Sequence, residues 1–350
     1  MKKTIVFFLT LRLCLTMSAC GKSASDGEDN KAASPSQAAS ETAEPSETPV
    51  SVRVGALKGP TAMGMVKMMS DSDLDNTASN QYTFSISASI DEITPAFIQG
   101  KLDIAAVPAN LASVLYNKMD GKVQVLAINT LGVLYICENG TDTVSSLTDL
   151  KGKTIYASGK GATPEYALNY LLTENGLDPA KDVTVEWKSE HTECVAALTK
   201  NKDAVALLPE PFVTTAKMSN PDIRAVVDLN KEWDKVQSGK QEPGTLLTGV
   251  VIAAKNFVDS NRDAINLFLA QYEQSVNYVN KNTEEAAKLI GSYDIIKEEA
   301  AKQALPNCNI TFISGTEMKD KLSGYLNVLY NQNPKAVGGT LPDEAFYYQQ

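Results

Sequence analysis

Val50-Ser51-Val52-Arg53-Val54-Gly55-Ala56-Leu57 alternates apolar and polar positions, the period of a half-buried strand. Gly59-Pro60-Thr61 follows, then Ala62-Met63-Gly64-Met65-Val66-Lys67-Met68-Met69. Proline in a first helical turn and a capping threonine predict a tight loop and a helix start there. The grammar repeats. Residues 82–90 read as a second strand, with a short helix at 94–98. Leu102-Asp103-Ile104-Ala105-Ala106-Val107 reads as a third strand, closed by Pro108-Ala109-Asn110 and a helix through Tyr116. A fourth strand at 123–128 ends at Asn129-Thr130. Strands alternating with helical stretches predict an α/β unit with a mostly parallel sheet flanked by helices.

After Leu147-Thr148-Asp149-Leu150-Lys151-Gly152-Lys153 the pattern begins again, with a strand at 154–157 and the loop Ser158-Gly159-Lys160-Gly161-Ala162-Thr163. An amphipathic helix at 164–174 ends at Asn175-Gly176. Strands at 183–187, 204–208 and 223–227, with a helix at 193–200, complete a second α/β unit. Thr248-Gly249-Val250-Val251-Ile252-Ala253-Ala254 is a further apolar strand, after which helices are expected at 262–280, 283–291, 295–304 and 317–331. The expected division is lobe 1 from residues 50–140 and 247–350 and lobe 2 from residues 141–246, joined by two crossings. Three consecutive domains fit the same pattern.

Upstream lies a different kind of segment. An apolar run begins after Lys2 and Lys3 and stops at Met17-Ser18-Ala19-Cys20-Gly21, which reads as an export signal over residues 1–19 with lipid attachment at Cys20. The alternatives are an uncleaved membrane helix or a soluble extension; about 15 apolar residues interrupted by Arg12 are short for a span, which needs roughly 20. Residues 20–49, rich in Ser, Ala, Glu, Thr and Pro, cannot bury enough surface to order themselves and read as a flexible tether. The protein is therefore expected outside the cytoplasm, lipid-anchored to the cell membrane. Loss of Lys2, Lys3 and Arg12 with the signal takes the formal net charge from -10 to -13. Such an acidic surface argues against nucleic acid as a partner. A monomer is expected.

Of the five cysteines, Cys137, Cys194 and Cys308 remain in the folded part, either as three buried thiols or with one pair bridged. Metal-like CxxC spacing is absent and His191 is the only histidine, so no metal site and no cofactor are expected. The glycine loop at 159–163 lacks the GxxxxGK[ST] order of a nucleotide phosphate loop. His191 has no GxSxG nucleophile to serve and reads as a loop or helix-start residue. No catalytic residues are expected.

Ligands of open α/β sheets gather beyond the carboxyl ends of strands. Those places carry Gly59, Pro60, Thr61, Asp91, Pro108, Ala109, Asn110, Thr130, Gly159, Lys160, Gly161, Thr163, Glu210, Phe212, Thr248 and Gly249. Short hydroxyl and amide side chains beside backbone amides suit a small polar or anionic solute. Met63 is a candidate for an apolar wall and Trp187 for stacking on a planar ligand. In Leu208-Pro209-Glu210-Pro211-Phe212, two prolines stiffen the chain around a carboxylate that can accept hydrogen bonds from a ligand or join the other lobe. Each position has a plainer reading as a turn, cap or core residue; it is the recurrence at successive strand ends that favours a site.

These segments resemble the periplasmic-type solute-binding lipoproteins of ABC importers, in particular the family whose members bind nitrate, alkyl sulfonates, taurine or thiamine-related pyrimidines. The likeness lies in Val54-Gly55-Ala56-Leu57-Lys58-Gly59-Pro60-Thr61, in Leu102-Asp103-Ile104-Ala105-Ala106-Val107-Pro108, in the approach Leu147 to Lys153, and in Leu208-Pro209-Glu210-Pro211-Phe212. The resemblance implies a two-lobed type II binding-protein fold, a ligand held between the lobes without covalent change, and an ABC permease as partner. It maps the first-strand loop to Gly59, Pro60 and Thr61, the third-strand loop to Pro108, Ala109 and Asn110, and the second-lobe loops to Gly159, Gly161, Thr163 and Glu210. The solute expected is a sulfonate or a thiamine-related pyrimidine. An exported enzyme acting on a pyrimidine-like metabolite and a surface sensing or adhesion module are the alternatives.

Overall fold

The computed structural model describes residues 49–74, 80–140, 142–241 and 243–349. The signal, Cys20 and most of the tether lie outside the described residues. The chain runs through β1 (Val50–Leu57), α1 (Pro60–Met63), α2 (Val66–Leu74), β2 (Asn80–Ser87), α3 (Ile90–Ile98), β3 (Ile104–Pro108), α4 (Ala109–Lys118) and β4 (Val123–Leu131). It continues through β5 (Leu134–Asn139), β6 (Thr154–Ser158), α5 (Thr163–Glu174), β7 (Thr184–Lys188), α6 (His191–Lys200), β8 (Val205–Pro209), α7 (Phe212–Ser219), β9 (Ile223–Asp228) and α8 (Leu229–Gln237). The last part holds β10 (Leu247–Ala254), α9 (Lys255–Ser260), α10 (Arg262–Lys281), α11 (Thr283–Ser292), α12 (Glu298–Ala304), β11 (Ile310–Ile313) and α13 (Gly315–Gln332).

Two sheets define two lobes. The first has the order β11-β4-β10-β3-β1-β2 and the second β7-β6-β8-β5-β9. Both are mixed, not mostly parallel as the sequence pattern predicts. β1 pairs in parallel with β2 and β3, but β10 runs antiparallel to β3 and β4, and β5 antiparallel to β8 and β9. The reason lies in the crossings. β4 leaves the first sheet at the end where β10 re-enters it, so Leu131 faces Leu247. In the second sheet Leu134 faces Pro209 and Tyr135 faces Asp228, because β5 starts where β8 and β9 finish. The first crossing thus lies at residues 132–133 rather than near 140, and β5 belongs to the second sheet.

Apolar stripes fix the layers. On α10, Ile265, Phe268, Leu269, Tyr272 and Val276 recur at helical spacing and bury against one face of the first sheet. The other face packs against α4 and α13, and this core runs on without a break into the second lobe, where Tyr170, Trp233 and Tyr325 bring their rings to 4.8 and 5.9 Å. A smaller core lies between the second sheet and helices α6 and α7. Two of the buried carboxylates are paired with arginine. Arg53 grips Asp103 through Nε and Nη2, at 2.9 and 2.6 Å, and Arg224 reaches the fully buried Glu138 at 3.2 Å. Cys137, Cys194 and Cys308 are three free buried thiols. Among the described residues no helix is long and apolar enough to cross a membrane.

Candidate functional site

The carboxyl ends of β1, β3, β4, β6 and β8 and the amino ends of β5 and β10 converge between the lobes. They enclose an inner cavity of about 80 Å³. The first lobe lines it with Leu57, Lys58, Pro60, Thr61, Pro108, Thr130 and Thr248. Val133 and Leu134 after the crossing, and Thr163, Pro164, His191, Pro209 and Phe212 of the second lobe, complete the wall. Outward, Lys58 and Phe212 also line a groove of about 860 Å³ between α6 and α7 on one side and residues 294–300 on the other.

The wall is built from helix starts. Proline suits a first helical turn because its missing N–H is one the helix would leave unbonded, which explains Pro60 and Pro164. Gly59 precedes α1 at φ 121°, a backbone state that side chains rarely adopt, and a Cβ there would lie 3.9 Å from the Phe212 ring. Gly249 is needed for a different reason. A Cβ on it would lie 2.4 Å from Asn129 Oδ1 and 2.7 Å from Thr61 Cγ2, so β10 approaches the wall more closely than any other residue allows.

The sequence points to the threonines as ligand donors, but in the structure their protons are already engaged. Thr61 Oγ1 donates to Leu57 O at 2.8 Å, Thr130 Oγ1 to Asn129 Oδ1 at 3.2 Å, and Thr248 Oγ1 to Leu131 O. Thr163 Oγ1 accepts from Tyr325 Oη at 3.0 Å and donates to Asn110 Oδ1 at 3.5 Å. Among the described residues two nitrogens on the wall lack a strong bond, Lys58 Nζ and His191 Nε2, and sequence reasoning named neither as a ligand contact. Lys58 makes only a long contact of 3.4 Å with Asp294, whose side chain is fully exposed. His191 begins α6, sets Nδ1 2.6 Å from Ser158 Oγ and packs its ring 4.9 Å from that of Phe212. Burial pushes the imidazole pKa down to about 4, so it is neutral at physiological pH. The missed signal was positional: Lys58 directly follows β1 and His191 directly follows the turn after β7, both at strand ends.

Other predicted residues lie around the cavity or away from it. Ala109 and Asn110 are buried, and Asn110 Nδ2 donates to Gly161 O at 3.2 Å and Ala336 O at 2.9 Å, joining the lobes. Gly159 and Gly161 form the positive-φ turn before α5, with Lys160 exposed between them. Met63 is wholly buried beneath the first sheet, since its helix turns that face inward. Asp91 is exposed in the first turn of α3 beyond edge strand β2, and Trp187 packs on edge strand β7. Glu210 is 5% exposed, off the cavity wall, and accepts from Thr214 N and Oγ1, each at 3.1 Å. Burial raises its pKa, against the lowering effect of the Thr214 bonds. Among the described residues no arginine lines the wall: Arg53 and Arg224 serve Asp103 and Glu138, and Arg262 donates to Gln349 O.

The architecture is similar to that of solved structures. An ABC transporter from Parabacteroides distasonis matches at 22% identity over 86% of this chain and 99% of that one, with a TM-score of 0.70. The periplasmic aliphatic sulphonate binding protein SsuA from Escherichia coli matches at 16% identity over 86% and 93%, with a TM-score of 0.68. The alkanesulfonate-binding protein SsuA from Xanthomonas axonopodis pv. citri, bound to MOPS, matches at 14% identity over 85% and 96%, with a TM-score of 0.66. At these identities the likeness is one of fold, the two-lobed type II binding-protein architecture. No curated protein matches the chain. A family model described as "ABC transporter, phosphonate, periplasmic substrate-binding protein" matches residues 73–304. The chain belongs to that family, and so is an extracytoplasmic solute-binding component of an ABC importer that holds its solute without transforming it.

Proposed function

We propose that the solute is a small organic anion of the sulfonate class, bound in the interlobe cavity and delivered to an ABC permease. The observation that carries this reading is the pairing of Lys58 Nζ and His191 Nε2 on a wall whose threonine protons are already engaged. Among the described residues no carboxylate lines the inner wall, so an oxyanion meets no like charge from them. The names of the two SsuA proteins of similar fold, which bind aliphatic sulfonates, agree with it. A thiamine-related pyrimidine is the weaker candidate, because Trp187, its expected stacking partner, packs elsewhere. Residues drawn from both lobes let the ligand favour the closed arrangement that a permease reads. Export over residues 1–19, lipidation at Cys20 and tethering by residues 20–49 belong to the same reading and rest on the sequence alone.

The test is native mass spectrometry of gently purified protein, followed by a thermal-shift panel of alkyl sulfonates, pyrimidines and nitrate. The expected result is a rise in melting midpoint with sulfonates only. Stabilisation by a pyrimidine and by no anion would overturn the reading.

A further inference from the structure

We propose that His191 reads the charge of the bound head group, so that the site takes singly charged oxyanions such as sulfonates and refuses the phosphonate dianion. The inference rests on the anion reading above and narrows it within a family whose description names phosphonate.

The geometry is specific. Nδ1 of His191 is occupied by Ser158 Oγ, itself buried, while Nε2 makes no hydrogen bond among the described residues. A ring with its Nδ1 accepting from a hydroxyl carries its proton on Nε2, which makes His191 a neutral donor at the cavity wall. Cys194 Sγ donates to Glu190 O at 3.7 Å and also makes a hydrogen bond with Ser158; in the proposed arrangement the Ser158 proton goes to the imidazole rather than to the thiol. The groups on the surrounding elements are Glu190 before α6, Glu193 and Cys194 on α6, Tyr156 and Lys188 on β6 and β7, Glu210 before α7, and Lys58 and Asp294 across the cleft. Burial alone is the cause of the low imidazole pKa.

Among the described residues one full positive charge borders the cavity, that of Lys58, and Asp294 offsets part of it. One charge can compensate a monoanion. The desolvation cost of an ion rises with the square of its charge, so a dianion costs about four times as much to bury against the same partners. A phosphonate loses its second proton near neutral pH, whereas a sulfonate stays singly charged throughout.

Because His191 is the only histidine, its ring signals in the full-length, tag-free protein are unambiguous. Calorimetry with butane-1-sulfonate and butane-1-phosphonate at pH 6.5 and 8.5 is expected to give a sulfonate Kd constant within about threefold and a phosphonate Kd at least tenfold weaker at pH 8.5. The ¹⁵N spectrum should report a neutral ring protonated on Nε2, and that resonance should move when sulfonate is added. His191→Gln, which keeps a donor, should hold sulfonate within about threefold, and His191→Phe should lose at least tenfold. A dianion bound as tightly as the sulfonate at pH 8.5, or an Nε2 resonance unmoved by saturating sulfonate, overturns the assignment while leaving the anion reading intact. Failure of both probes to bind wild-type protein at either pH overturns the two together.

Discussion

Glu210 separates a structural from a binding role within one experiment. Its carboxylate lies behind the cavity wall, where it caps the start of α7 through two bonds to Thr214. Glu210→Ala removes those bonds, and losing a side-chain cap of this kind costs about 0.5–2 kcal/mol. In a folded body of this size each kcal/mol moves the melting midpoint by roughly 2 °C, so a fall of about 1–4 °C is expected. Sulfonate affinity should change less than threefold. The pH dependence supplies a second readout. Since burial raises the folded-state pKa, the contribution of Glu210 is fully present below its unfolded value and is lost as pH rises through the raised one. Glu210→Gln stays neutral, keeps an acceptor for Thr214 N and a donor for Thr214 Oγ1, and should gain on wild type as pH rises from 4.5 to 8. Paired calorimetric melts and binding titrations at pH 5, 6.5 and 8 decide the matter. An unchanged midpoint in Glu210→Ala together with a tenfold loss of sulfonate affinity would refute this placement and put the carboxylate on the ligand.

Denaturant titrations should find that wild type loses up to about 3 kcal/mol between pH 7 and pH 4 through His191 alone, a loss missing from His191→Gln. The sign follows from a folded pKa near 4 against 6.5 unfolded: the stabilisation is present above 6.5 and disappears as pH falls through 4. Gly249→Val places methyl groups where Asn129 and Thr61 already sit, so overpacking of about 1–3 kcal/mol and at least a tenfold loss of sulfonate affinity are expected by melting and calorimetry. Lys58→Gln removes an ion pair with a fully exposed partner, worth little to stability. Its melting midpoint should stay within about 1 °C while sulfonate affinity falls at least threefold, and an unchanged Kd would take Lys58 out of the site.

Local patterns show in this sequence where one residue decides one bond, and fade where neighbours decide. β1 and β3 are legible because alternation or an apolar run bounded by Gly or Pro encodes burial directly. β5 is not, because both its faces are largely buried and only Gly132 and Val133 separate it from β4, so the two read as one apolar stretch. β11, four residues long at a sheet edge, is too short to carry a period. Strand direction is decided by which end of the sheet the chain re-enters, and no residue of β10 records it. The strand-end rule pointed to residues that the fold gathers, and Pro60, Thr61, Pro108, Thr130, Thr163, Phe212 and Thr248 line one candidate cavity. Which side chains keep a free polar atom there was not readable. Whether a threonine hydroxyl is free depends on an acceptor elsewhere in the chain, as Leu57 O is for Thr61 and Asn110 Oδ1 for Thr163.

The same packing dictates where the lobes part. On the side of α13 the apolar core is continuous between them through Tyr170, Trp233 and Tyr325, and Asn110 and Thr163 add cross-lobe hydrogen bonds. Exposing such a core costs about 25 cal/mol for each Å² of apolar surface, and a few hundred Å² would exceed what a small ligand returns on binding. The opposite side is the open groove between α7 and α12, with the Lys58–Asp294 pair across it. Opening must therefore occur at that groove, with the α13 side acting as the pivot. Spin labels at Ser219 and Glu299, which face each other across the groove, should draw closer when sulfonate binds. Labels at Thr173 and Asn331, across the pivot, should keep their separation. Movement of the second pair with the first unmoved would reverse the assignment of hinge and mouth.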